Sequence, residues 1–149
     1  LTSDYRMDDR QINPGTERRT IEAIEQAIDG EYSAIACYEI LFNMAVSDKE
    51  KKQIAEIRND EIHHYQMFSS LYQQLTGRTH APQITGRCPE TYREGLQHAI
   101  EDEQKTVDFY METADRAQNR RVRSLFYRAA TDEQQHAVWF LYFYTLNKF

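Results

Sequence analysis

Six residues of this sequence stand in a pattern that can do chemistry. "NDEIHHY" places Glu61 and His64 three apart, and "TDEQQHA" does the same with Glu133 and His136. Positions 61 and 133 differ by 72, and the same shift carries Glu31 onto Glu103. On a helix, Glu and His at i, i+3 share a face and can reach one ion. Four ionised carboxylates buried at one level would be very costly without counter-charge, and two imidazoles do not supply enough. Two divalent cations would. The spacing therefore predicts a dimetal site whose ligands are Glu31, Glu61, His64, Glu103, Glu133 and His136. With about three ligands per metal, coordination positions stay open, and O2 or peroxide can bind there. Hard carboxylates with imidazole favour iron, with manganese as the alternative, over an all-sulfur metal.

The elements that must position these residues are helices. Only Pro14, Pro82 and Pro89 interrupt the chain. The long blocks between them carry apolar residues at i, i+3, i+4 and i+7, with no alternating strand pattern. Ser47 with Glu50 forms a capping box, Asn119 is a second cap, Gly77 is a helix stop, and Pro89 suits a first turn. The prediction is four helices at about 17–46, 48–76, 89–117 and 120–147, behind a polar arm at 1–16. The fold class is all-α, an antiparallel four-helix bundle over 17–149. Two tight helical hairpins are joined by a crossover at 77–88, which reaches roughly 40 Å when extended. That is just the length of the bundle, so a single-chain bundle and helices swapped between two chains both stay open.

The shift of 72 also aligns Ile24 with Leu96, Ile28 with Ile100, Ile35 with Val107, Ile54 with Phe126 and Phe68 with Phe140. One helical hairpin is used twice. Depth agrees: Glu31 and Glu103 lie 16 residues before their turns, Glu61 and Glu133 lie 14 after. At 1.5 Å per residue each pair falls within about 3 Å of one level. Tyr38 and Tyr110 lie two turns beyond a ligand Glu on the same face, where a buried phenol needs a partner. They are the candidate catalytic residues, steering protons or carboxylates, with plain core tyrosines as the alternative. Asp60 and Asp132 are expected to accept the free N–H of the opposite half's histidine, Asp60 from His136 and Asp132 from His64.

Composition removes other classes. The chain has 149 residues, enough for one core, and a net charge of −6, which argues against a nucleic-acid partner. Arg120, Arg121 and Arg123 read as a solvated helix start. No apolar run is long enough for a membrane span. Two cysteines, Cys37 and Cys88, form no C-x-x-C pair. Cys37 reads as a small core residue, and a reducing cytoplasm is the expected location. His63, His80 and His98 read as surface residues. The apolar run Trp139 to Tyr144 covers too much of its helix for one face, which predicts packing on the arm or on a second copy in a homodimer.

Glu31, Glu61-x-x-His64, Glu103 and Glu133-x-x-His136 together resemble the ferritin-like diiron-carboxylate superfamily, and within it the rubrerythrin-like proteins. The resemblance covers about 17–147. It implies a bundle with a long crossover, two irons, and either peroxide reduction or oxidation of Fe(II) by O2 or peroxide. Rubrerythrins usually carry a rubredoxin domain with paired C-x-x-C motifs, and these residues contain none. The resemblance then implies an external electron-donor protein. They also typically have a further glutamate on the third helix where this sequence has Thr106, which weakens the match to their peroxide mechanism. The leading expectation is a diiron oxidoreductase using hydrogen peroxide or O2. Its rivals are a ferroxidase or iron-handling protein, a bundle keeping metal for stability alone, and a dimanganese catalase.

Overall fold

Helix-period apolar patterning produces helices with one buried stripe each. The computed structural model describes residues 14–148, and among them the chain forms α1 (Pro14–Met44), α2 (Asp48–Thr76), α3 (Tyr92–Arg116) and α4 (Arg120–Leu146). Residues 1–13 of the expected arm lie outside the described residues. Pro14, read as part of that arm, instead opens α1. Proline is suited to a first helical position because its missing N–H would have had no helical partner.

The stops and starts have local causes. Ser47 Oγ accepts from the Glu50 amide at 3.1 Å, the first half of the expected capping box, while the Glu50 carboxylate accepts from the Ser47 hydroxyl at 2.5 Å rather than from its amide. Asn119 Oδ1 accepts from the Arg121 and Val122 amides. Gly77 ends α2 at φ 71°, a left-handed conformation that glycine adopts without a Cβ clash. Pro89 is not in the first turn of α3. Thr91 caps that helix by accepting from the Glu94 amide, so the crossover is longer than the expected 77–88.

α1 and α2 pair as one hairpin, α3 and α4 as the other. The Tyr92 hydroxyl, at the start of α3, donates to Glu50 at the start of α2, and Asn147 Nδ2, beyond α4, donates to the same carboxylate. α3 therefore begins at the end of the bundle where α1 finishes, and the crossover runs the full length to reach it. It is fastened to α1 on the way. Gln83 donates its amide to Asp29, Thr85 donates its amide to Ser33, and Cys88 is bonded to Cys37. Asp29, Ser33 and Cys37 are successive turns of one helix face.

Two apolar clusters fill the interior. One contains Ile24, Ile28, Phe68, Leu71, Tyr110 and Phe126, the other Tyr38, Leu41, Ile54, Ile57, Leu96, Phe140 and Phe143. Burying each large side chain contributes about 1.5–3 kcal/mol. Most expected stripe residues are in these clusters. Ile21, Ile35, Phe42, Ile100 and Val107 are half-buried, and Leu75, in the last turn of α2, is exposed. Between the clusters lies a polar layer.

Candidate metal centre

That layer consists of Glu31, Glu61, His64, Glu103, Glu133 and His136, each at most 5% exposed. α1 contributes Glu31, α2 Glu61 and His64, α3 Glu103, and α4 Glu133 and His136. All six come from one chain. Their donor atoms converge as two overlapping groups: Glu31, Glu61, His64 and Glu133 in one, Glu61, Glu103, Glu133 and His136 in the other, each within 4.8 Å. Glu61 and Glu133 belong to both groups. They occupy the central position between two sites, while Glu31 with His64 and Glu103 with His136 lie to either side.

The flanking residues repeat the two-fold pattern. Tyr38 donates its hydroxyl to Glu103 Oε1, and Tyr110 donates to Glu31 Oε1 at 2.5 Å. Each tyrosine thus binds the glutamate of the other half. Each ring packs on the other half's phenylalanine, Tyr38 on Phe140 at 5.0 Å and Tyr110 on Phe68 at 5.4 Å. His64 Nε2 lies 2.8 Å from Asp132 Oδ2, and His136 Nε2 lies 2.8 Å from Asp60 Oδ2. The structure therefore brings all ten expected site residues together, with the aspartates crossing between halves.

The chain is similar to known proteins in sequence and fold. The rubrerythrin family matches residues 94–147, which carry Glu103 and Glu133-x-x-His136. The uncharacterised protein YhjR of Bacillus subtilis is 50% identical over 123 residues, 83% of this chain and 85% of its own length. A ferritin-like, diiron-carboxylate protein of Bacillus anthracis superposes with a TM-score of 0.73 at 23% identity, over 87% of this chain and 97% of its own. The bacterioferritin of Desulfovibrio desulfuricans does so with a TM-score of 0.79 at 20% identity, over 90% of this chain and 82% of its own. The chain belongs to one family with YhjR, and its residues 94–147 match the rubrerythrin family.

In this chain the donor set fits two cations. Glu31 Oε2, Glu61 Oε1, His64 Nδ1, Glu103 Oε2, Glu133 Oε1 and His136 Nδ1 are buried and face one another, with His64 Nδ1 2.9 Å from Glu133 Oε1 and His136 Nδ1 3.2 Å from Glu61 Oε1. Four buried carboxylates crowded on one volume call for more counter-charge than two imidazoles supply. The histidine tautomers agree. An aspartate can only accept, so Nε2 keeps its proton, and the inward-facing Nδ1 is the nitrogen that can give up its proton to bind a cation.

Without metal, protons take the cations' place. Burial pushes the Glu31, Glu103 and Glu133 carboxyls up, reinforced by neighbouring carboxylates: Glu61 beside Glu31 and Glu103, and Glu103 beside Glu133. At Glu61 burial acts the same way, but hydrogen bonds from His136 and His64 outweigh it and hold the carboxyl below the ordinary range. Burial opposes charging of His64 and His136. Glu31 and Glu61 around the first, and Glu103 and Glu61 around the second, outweigh it and raise both from 6.5 to about 11. Burial first, then the charge of Glu103 or Glu31, raises the Tyr38 and Tyr110 hydroxyls, which therefore stay protonated donors.

A cavity of about 610 Å³ opens between α1 and α3 beneath the crossover, lined by Tyr38, Tyr110, Cys37, Gly86, Asp102 and Thr106 among others. Thr106 stands where a rubrerythrin typically has a glutamate, and its hydroxyl is turned to the Asp102 carbonyl. Two readings need correction. Cys37 is not a free core thiol but is joined to Cys88, with Cα atoms 5.4 Å apart. No C-x-x-C spacing signals that pair, because only the path of the crossover brings position 88 beside position 37. His80 is more than a surface residue, since its Nε2 lies 2.9 Å from Asp29 Oδ1 and helps fasten the crossover. His63 and His98 are exposed, as expected.

Proposed function

We propose that this protein is a diiron oxidoreductase that reduces hydrogen peroxide, or O2, in the manner of a rubrerythrin-like peroxidase. The observation that carries the proposal is the convergence of four buried glutamates and two buried histidines on one volume. Two bound irons would supply electrons by cycling between Fe(II) and Fe(III). Glu61 and Glu133 would help to hold both, Glu31 with His64 one, and Glu103 with His136 the other, as the two donor groups suggest. Asp60 and Asp132 hold the imidazole tautomers. The Tyr38 and Tyr110 hydroxyls hold a proton against the outer glutamates at the floor of the cavity, where a reduced oxygen would need one. The two apolar clusters above and below exclude water.

Elemental analysis of protein purified without chelator tests this beside a Glu61→Ala/Glu133→Ala variant. About two irons per chain, lost in the variant, with peroxide consumed under an added reductant, is the expected result. Two manganese ions instead would favour a dimanganese catalase, and no stoichiometric metal would defeat the reading. An iron-handling role is favoured by one observation. Glu22, Glu25, Asp29 and Asp102 line the cavity, an acidic approach suited to Fe(II). It predicts iron uptake far beyond two per chain.

No described helix is long and apolar enough to cross a membrane. We place the protein in the cytoplasm, supplied by an external electron donor, and defending against oxidative stress. We also infer a homodimer. Val138, Leu141, Tyr142 and Leu146 form an apolar strip on the outer face of α4, with Val138 63% exposed. Light scattering should give twice the chain mass, and Leu141→Glu should halve it. A monomeric wild type would reject the dimer.

A further inference from the structure

We propose that Cys37 and Cys88 form a redox-active pair that takes electrons from an external thiol and passes them to the centre. The inference rests on the peroxide-reducing reading above. Cys37 immediately precedes Tyr38, whose hydroxyl donates to Glu103. From sulfur to ligand the path is one peptide link, one tyrosine and one hydrogen bond. Cys37 and Tyr38 line the same cavity. Both cysteines are half-buried rather than sealed in the core, and Cys37 lines the cavity that opens to solvent.

Two further observations favour a working pair over a plain staple. Hydrogen bonds from Gln83 to Asp29 and from Thr85 to Ser33 already dock the crossover on α1. After reduction the two thiols stay opposed and can re-form the bond. The pair also breaks the internal repeat. The position equivalent to Cys37 in the second half is Phe109, so one half alone carries a cysteine beside its tyrosine. These residues hold no C-x-x-C pair to serve as an iron–sulfur donor. In a reducing cytoplasm, disulfides are usually transient and catalytic or redox-sensing.

The electrons balance. An external thiolate attacks one sulfur, the Cys37–Cys88 bond breaks, and a mixed disulfide forms. A second external thiol releases it as external disulfide, leaving two protein thiols. Re-forming the Cys37–Cys88 bond yields two electrons and two protons. That is what one H2O2 needs to become two waters.

Thiol counting on the folded, iron-loaded protein tests this. The protein is treated with dithiothreitol, freed of excess, given one equivalent of H2O2, alkylated at intervals and weighed. Two alkylated cysteines are expected after dithiothreitol and none before. Peroxide should restore the bond at least ~10-fold faster in iron-loaded than in metal-free protein, with Tyr38→Phe slower than wild type. A bond that resists dithiothreitol in the folded protein, or re-forms equally fast without metal, overturns the inference. Cys37→Ser/Cys88→Ser protein separates the two proposals. If it matches wild type in consuming peroxide with dithiothreitol as donor, the pair is not the relay and the diiron reading stands. If neither protein consumes peroxide with dithiothreitol or with ascorbate, both fall.

Discussion

Each histidine of the centre is held by an aspartate from the other half of the chain, and this decides what its ring can do. The Asp132 and Asp60 carboxylates accept the Nε2 proton, so Nδ1 faces inward and is the nitrogen left to bind a cation once its proton is displaced. Removing such a partner frees the tautomer and the ring angle and typically weakens metal binding about 10–100-fold. Asp60→Ala and Asp132→Ala should each do so, by chelator competition, with helicity unchanged. Unchanged affinity in both would mean the aspartates serve only the surface. The tyrosines act on the outer glutamates instead, one per half, so Tyr38→Phe and Tyr110→Phe are expected to spare metal content.

Helix ends keep the four ligand-bearing stripes in register. Glu50 receives Ser47, Tyr92 and Asn147 at once and so joins the starts of α2 and α3 to the end of α4. At the opposite end Gly77 closes α2 at φ 71° and turns the chain into the crossover. An L side chain there must adopt a left-handed backbone at a cost of about 1 kcal/mol. Gly77→Ala should therefore lower stability by about that amount in urea unfolding, without loss of bound metal. No change would show that the helix end relaxes into another conformation.

Over the whole molecule the polar layer couples metal, protons and stability. In the metal-free protein His64 and His136 are raised from 6.5 to about 11. The folded state thus binds their protons more tightly than the unfolded chain does. That stabilisation is complete below 6.5 and is lost as pH rises through about 11. The raised Glu31, Glu103 and Glu133 act in the same direction from 4.5 upward, while the lowered Glu61 acts oppositely below 4.5. Metal displaces those protons, so its affinity rises with pH over the same window. The melting temperature of metal-free protein should fall between about pH 7 and pH 10, and the stabilisation by Fe(II) or Mn(II) should widen. A gap independent of pH would show that the imidazoles are not the displaced groups.

Much of this architecture is written locally and is therefore legible in one dimension. Ser47, Gly77 and Asn119 act on amides a few residues away, and helical period places Glu61 and His64 on one face whatever surrounds them. The repeat of 72 carried depth as well as identity, so the six donors and even the crossed aspartates followed from counting turns. What escaped depended on segments distant in sequence. Pro89 lost the first turn of α3 to the Thr91 cap, and Leu75 was left exposed at the end of α2. His80 met Asp29, and Cys88 met Cys37 across a separation of 51, because the crossover follows one face of α1. A loop has no period to read, and only the packed bundle decides which helix it lies against. The repeat within the chain determined the layer of four glutamates and two histidines, and the path of the crossover decided what covers it.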